Sequence, residues 1–277
     1  MSSQASWVTV RVFPGSRRDA AIAAMFDSGA EGVQELADRV ITHVRDQSAA
    51  NAMLCAVMAA SADARVDTEP LDVVDWSEQW KEGIRVQHLG ALTVAPPWHA
   101  ADLDPVTSII IEPGMAFGTG EHATTRGAIR LLQRVVSRGD RVADLGAGSA
   151  VLAIAAAKLG ALHVAAIELD PDAISNAEQN VERNGVADRV TVIEGDAASL
   201  LPLVAPVRVI AANILSSVLI DLLPTIVGAL TSDGVAILSG ILVAERDEMD
   251  AAIRAAACRI ELEDDEDGWW SAAIVRR

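Results

Sequence analysis

Four residues between positions 144 and 168 could build a nucleoside site: Asp144, Gly146, Gly148 and Glu168. Gly146 and Gly148 carry no Cβ, so the backbone there can take positive φ and approach a ligand closely. A carboxylate at Glu168 can accept two hydrogen bonds from a ribose diol. A helix starting near Ser149 would aim its free N–H groups at the same place. Further along, Asp196 could bind an adenine amino group or sit in a surface turn. Asn213 could accept a hydrogen bond from an amine through its carbonyl oxygen, or cap the helix that follows. Upstream, Gly114, Gly118 and Gly120 interrupt the loop EPGMAFGTGEHATTRGAIRLL. With Thr119, His122 and Thr125 that loop could form a polar lip over a ligand. Equally, it could be a plain glycine loop in which Thr124 or Thr125 caps a helix over 126–136. His122 could relay a proton or order the loop.

Positioning these residues requires a strand, a turn, a helix and a second strand. Residues 142–145 are a short apolar run ending at the glycines. Val151, Leu152, Ile154, Ala155 and Leu159 then recur at helical spacing until Gly160, a C-terminal stop signal. Residues 164–167 form a second buried-type strand, closed by Glu168 and Asp170. Such a unit is parallel and crosses over right-handedly, with its ligand at the carboxyl ends of the strands. A dinucleotide fingerprint needs a third glycine where this chain has Val151, which weakens an NAD reading. The alternation continues with helices over 171–184, 216–229 (kinked at Pro224) and 243–257. Strands are expected over 190–193, 207–212, 235–239, 259–263 and 270–275. The last two have no helix between them and should pair antiparallel, with 263–267 as a solvated acidic turn.

Composition sets outer bounds. The chain has 277 residues, 51% hydrophobic and 22% charged, enough for a sizeable core. The mean hydropathy of +0.28 comes from dispersed Ala and Val. The longest apolar stretch, 151–167, is broken by Lys158, Gly160 and His163, so no membrane span is expected. The N-terminus has no leader pattern, and a cytoplasmic location is expected. Cys55 and Cys258 are far apart and read as core thiols; no metal site is expected. The formal net charge of -17 argues against a nucleic-acid substrate and fits a small cofactor or a basic protein partner.

The N-terminal part alternates short strands and helices: strands over 7–13, 33–36 and 40–44, helices over 19–28 and 47–60. A small α+β domain over 1–65 is expected, then a proline- and tryptophan-rich linker and covering segment over 66–104, then the main domain over 105–277. In the linker, Trp76 and Trp80 share one face of a helical turn over 75–81, and short strands are expected over 85–88 and 92–95. A further strand is expected over 107–111.

Asp144 ends its strand as D-x-G-x-G, a pattern of methyltransferases that bind S-adenosyl-L-methionine. Three stretches then resemble one family: AFGTGEHATT (116–125), DLGAGSAVLAIAAAKLGA (144–161) and ANIL (212–215) are similar to the motifs of PrmA-type ribosomal protein methyltransferases, which methylate the large-subunit ribosomal protein L-eleven. DWSEQWK (75–81) and SGIL (239–242) resemble the same family. The resemblance implies an α/β fold, the class I methyltransferase (Rossmann-like) seven-stranded sheet with a smaller N-terminal α+β domain. It implies S-adenosyl-L-methionine as cofactor and a protein N-methyltransferase acting on lysine side-chain or N-terminal amines of L-eleven. It places Phe117, Thr119, Gly120, Thr125, Asp144, Gly146, Gly148, Glu168, Asp196 and Asn213 at the cofactor, with Asn213 and His122 as catalytic residues. The chain departs from the usual motifs at Glu121, at Ala150 (the last position of G-A-G-S-A, tolerable if already helical) and at Glu168 in place of Asp. Two other readings stay open: a methyltransferase of the same fold acting on another protein lysine or a small amine, and a non-catalytic module binding S-adenosyl-L-methionine or a nucleotide.

Overall fold

Alternating Val8, Val10 and Val12 put one apolar face on the first strand, and all three are buried. The computed structural model describes residues 7–30, 32–70, 84–114 and 116–277. They fall into two compact units, Met1–Gly83 and Ile84–Arg277. In the first unit, strand β1 (Val8–Phe13) pairs antiparallel with β3 (Val40–Val44) and β4 (Arg65–Pro70). A short β2 (Gln34–Glu35) completes the order β2-β3-β1-β4. Helices α1 (Arg18–Asp27) and α2 (Gln47–Ala60) bring Met25, Met53 and Val57 into the same core. Asp46 caps α2, its carboxylate accepting the Ala49 N–H at 2.8 Å. Strand β4 was not expected. Its sequence, RVDTEP, carries one apolar residue besides proline, and it lies at a sheet edge where little of it is buried. It carries the first sheet past position 65, and the expected segment 66–104 is divided between the two units. The expected helical turn over 75–81 lies outside the described residues.

The second unit is built on a seven-stranded sheet. Its strands are β8 (Arg141–Leu145), β9 (His163–Glu168), β10 (Val190–Glu194), β11 (Val207–Asn213), β12 (Leu230–Leu242), β13 (Cys258–Glu266) and β14 (Trp269–Arg276). The order is β10-β9-β8-β11-β12-β14-β13. The first five are parallel, and β14 pairs antiparallel with both β12 and β13. This is the expected seven-stranded, mainly parallel sheet finished by an antiparallel hairpin. A smaller sheet joins β5 (Gln87–Leu89), β6 (Leu92–Ala95) and β7 (Ser108–Ile110).

Helices cover both faces of the large sheet. On one side lie α3 (Ala123–Val135), α4 (Val151–Lys158) and α5 (Pro171–Arg183), whose Leu131, Leu132, Ile154 and Val181 share a core with Val164 and Val209. On the other lie α6 (Ala197–Val204), α7 (Ser216–Ala229) and α8 (Arg246–Ala255), packing Leu201, Leu223, Ile226 and Met249 around Trp270. Helix α6 was not expected; it holds Pro202 inside it, and Asp196 supplies its cap. Chain order reverses at β8, with β9 on one side and β11 on the other. A crevice opens at the carboxyl end of such a strand.

The acidic run over 263–267 is not the expected solvated turn. Strand β13 continues through Glu266, so Asp264 and Glu266 point to one face. Arg126 and Arg130, one helical turn apart on α3, meet them there. Arg130 Nε lies 2.8 Å from Asp264 and its Nη2 2.6 Å from Glu266; Arg126 Nε reaches Glu266 at 2.9 Å. Of the two thiols, Cys258 is buried but Cys55 is exposed on α2, so only Cys258 is a core residue. Among the described residues, no helix is long and apolar enough to cross a membrane.

Candidate active site

Carboxylates and backbone amides shape the turn after β8. Asp144 is buried beneath it and accepts the Ala153 N–H from α4 at 2.9 Å. Burial pushes its carboxyl up to about 7, the Ala153 N–H pulls the other way, and the charge of Glu168 adds to the rise. Glu168, at the end of β9, accepts the Gly148 N–H at 2.7 Å and the Asp170 N–H at 2.9 Å. Gly146 and Ala147 both donate to the Ile167 carbonyl, Ser149 donates to the Phe117 carbonyl, and Ala150 donates to the Ala147 carbonyl. Every backbone N–H from Gly146 to Ala150 is therefore taken by the protein itself. Of the N–H groups expected to face a ligand near the helix start, those of Ser149, Ala150 and Ala153 are engaged within the protein. What the turn offers instead is close backbone approach. A Cβ on Gly148, at φ +53°, would stand 2.6 Å from the Phe117 carbonyl oxygen.

The loop over 116–122 folds onto this turn. Ser149 Oγ donates to the Gly118 carbonyl at 2.7 Å. His122, expected to act or to order the loop, is the N-cap of α3, in place of Thr124 or Thr125. Its Nδ1 stands 2.8 Å from Thr124 Oγ1 and accepts the Thr124 N–H. Its ring packs edge-on against Phe117 on one side and Trp269 on the other, with centroids 5.3 and 4.9 Å away. Ser239 ties the start of α3 to the sheet by donating to the Thr124 carbonyl at 2.9 Å.

These elements surround a cavity of about 680 Å³, a size suited to a small ligand. Phe117, His122, Gly146, Gly148, Glu168, Asp196 and Asn213 line it. Asp196 caps α6, accepting the Ser199 hydroxyl at 2.8 Å and the Ala198 and Ser199 N–H groups, and those hydrogen bonds hold its carboxyl below the usual range. Asn213 ends β11, and its Nδ2 donates to Thr125 Oγ1 at 3.4 Å. It does not cap α7, whose N-cap is Leu215. Its side-chain oxygen has no hydrogen-bond partner among the described residues.

A family model described as "Ribosomal protein L11 methyltransferase (PrmA)" matches residues 17–277. The chain belongs to the ribosomal protein L11 methyltransferase family. It is 38% identical over 236 residues to the ribosomal protein L11 methyltransferase of Chloroflexus aurantiacus, covering 76% of this chain and 72% of that protein. It is 38% identical to the protein of the same name from Pelotomaculum thermopropionicum, covering 81% of this chain and 72% of that one. The crystal structure of ribosomal protein L11 methylase from Lactobacillus delbrueckii subsp. bulgaricus superposes with a TM-score of 0.63 at 33% identity, covering 70% of this chain and 99% of that one.

In this L11 methyltransferase family member, not every residue expected at the cofactor faces the cavity. Thr119 and Gly120 are not among its lining residues. Gly120 packs against Val94, where a Cβ would come within 2.6 Å, so this part of the loop anchors it to the small sheet. Thr125 is fully buried behind Asn213, and Thr124 lines the cavity in its place. Asp144 shapes the turn from below. Residues that sequence reasoning missed include Leu169, Leu215, Val218 and Trp269 on the cavity wall. Three of these are exposed apolar side chains. For Leu169 and Leu215 the signal was an apolar residue within two positions of a strand's polar end.

Ala150 is a further departure. It is not helical but sits at φ 64°, ψ 20°, the left-handed region, fully buried. A non-glycine residue there costs about 1–2 kcal/mol. Ala150→Gly should therefore stabilise the protein by about 1 kcal/mol, less the entropy of a glycine in the unfolded chain. Urea melts of the two proteins test this; equal or lower stability of the glycine variant contradicts it.

Asp144 carries a pH prediction. Its folded pKa lies above the ordinary value of 3.8, so the folded state keeps a proton that the unfolded chain has released. The contribution of this group to stability falls as pH rises from about 4 to about 7. Asp144→Asn removes that slope. Its stability relative to the parent should climb through this window by up to about 1 kcal/mol per pH unit and then level off. Denaturant melts at pH 4, 5.5 and 7.5 give the difference directly, and a constant difference contradicts the assignment.

Proposed function

We propose that this protein is an S-adenosyl-L-methionine-dependent N-methyltransferase that modifies lysine side-chain or N-terminal amines of ribosomal protein L11. The observation that carries the cofactor is the closed set of amides from Gly146 to Ala150. A turn whose amides from Gly146 to Ala150 are engaged by the protein itself suits a nucleoside held through its ribose and base. The ligand's adenosine fits the groups present: Glu168 retains lone pairs for a ribose diol, Asp196 stands where an adenine amino group can donate, and Leu169 and Ala197 offer apolar contact. The bound sulfonium supplies an already activated methyl group.

The chain's own task is to deliver an amine, dry and unprotonated, in line with that methyl. Free lysine amines have a pKa of about 10.4 and α-amines about 7.7–8.0, so the α-amine loses its proton more readily near neutrality. The Asn213 side-chain oxygen accepts a hydrogen bond from the amine and aims its lone pair, while Thr125 holds the amide in place. His122 orders the loop through its Nδ1 and keeps Phe117 and Trp269 at the cavity as apolar walls that exclude water. The acidic chain suits a basic protein substrate, and the N-terminal α+β domain is the part free to recognise it.

Calorimetric titration tests the cofactor assignment. S-adenosyl-L-methionine and S-adenosylhomocysteine should each bind at one site per chain, and NAD should bind far more weakly. Tighter binding of NAD would overturn the reading.

A further inference from the structure

A second cleft lies at the other end of the seven-stranded sheet, at the amino ends of its parallel strands. It encloses about 600 Å³. Four arginines line it: Arg134 from the last turn of α3, Arg208 at the start of β11, Arg259 on β13 and Arg276 at the end of β14. Asp233 and Glu261 are the only carboxylates among the lining residues, so the lining has two more positive groups than negative ones. That local excess runs against a chain of net charge -17. The proposed methyl transfer uses none of these residues.

The guanidinium groups are only partly satisfied. Arg208 Nε lies 3.1 Å from Asp233, but its Nη1 is buried and has no hydrogen-bond partner. Arg134 is exposed and pairs with no carboxylate among the described residues. Arg276 uses Nη2 on the carbonyls of Val227 and Leu230, and Arg259 uses Nη1 on Glu261. N–H groups of Arg134, Arg259 and Arg276, all lining residues, are therefore left without a protein acceptor among the described residues.

We propose that this cleft binds a multiply charged oxyanion of the phosphate class, with inorganic diphosphate as the simplest example. Guanidinium forks match phosphate oxygens in both geometry and charge. Ser137 and Ser232 add hydroxyl donors at the rim. The occupant is the phosphate itself rather than a nucleobase, because no aromatic side chain lines the cleft to stack on a ring. At physiological salt the repulsion of distant acidic residues is largely screened, and the arginines at contact distance dominate.

Calorimetric titration of the full chain with sodium pyrophosphate, in a buffer free of other oxyanions, tests the proposal. Sodium chloride at matched ionic strength is the control. The test variant combines Arg134→Gln and Arg259→Gln, both exposed positions outside the methyl-transfer site. Saturable binding at one site, weakened about tenfold or more in the double variant, is the expected result. Methyl transfer should be unchanged in that variant. Absence of saturable binding, an affinity the double substitution leaves intact, or a response that sodium chloride reproduces would each overturn it.

Discussion

Replacing Asn213 with alanine is expected to lower kcat by about a hundredfold while S-adenosyl-L-methionine still binds with an affinity within a few-fold of the parent. The asymmetry follows from where the side chain sits. It ends β11 at the cavity wall, its Nδ2 is engaged by Thr125, and its oxygen is left for the incoming amine. Alanine removes the acceptor that orients the amine lone pair but leaves Glu168, Asp196 and the glycine turn in place. Thr125→Val should give a milder loss in the same direction, because Asn213 then loses its positioning partner. Single-turnover methyl transfer measures the first quantity and titration the second. Equal kcat in parent and Asn213→Ala would remove the asparagine from the mechanism.

Removing residues 1–83 should abolish methylation of L11 and leave cofactor binding intact. The second unit, Ile84–Arg277, contains both core layers and, among the described residues, all those that line the cavity. It should fold with its site formed. The first unit has its own core around Val10, Met25 and Met53. None of its described residues lines the cavity, and its proposed role is to hold the protein substrate. The shortened chain should therefore bind S-adenosyl-L-methionine normally while losing transfer to L11 by at least about two orders of magnitude, the scale lost with substrate positioning. Full activity of the shortened chain on L11 would assign recognition to the catalytic unit instead.

The strands and helices that carry the site were legible because they are buried and strongly patterned. The apolar runs leading into Asp144, Glu168 and Asn213 predicted β8, β9 and β11, and the terminal hairpin followed from two strands with no helix between them. What escaped was set by tertiary context. Strand β4 is an exposed edge with a polar sequence, so pairing with β1 rather than hydrophobic patterning makes it a strand. The acidic run looked like a solvated turn because its partners, Arg126 and Arg130, lie about 135–140 residues earlier in the chain. At the site, residue types identified the glycine turn and the acids but not which side chains face inward. Thr125 and Asp144 are polar and close to the cavity, yet both are buried as supports. The left-handed backbone at Ala150 could not be read from an alanine.

The most direct test of the account is methyl transfer itself. Purified protein, labelled S-adenosyl-L-methionine and ribosomal protein L11 should yield labelled L11, with the methyl groups mapped by mass spectrometry to lysine side chains or the N-terminal amine. Absence of label on L11, with cofactor binding shown in a parallel titration, would contradict the proposed substrate.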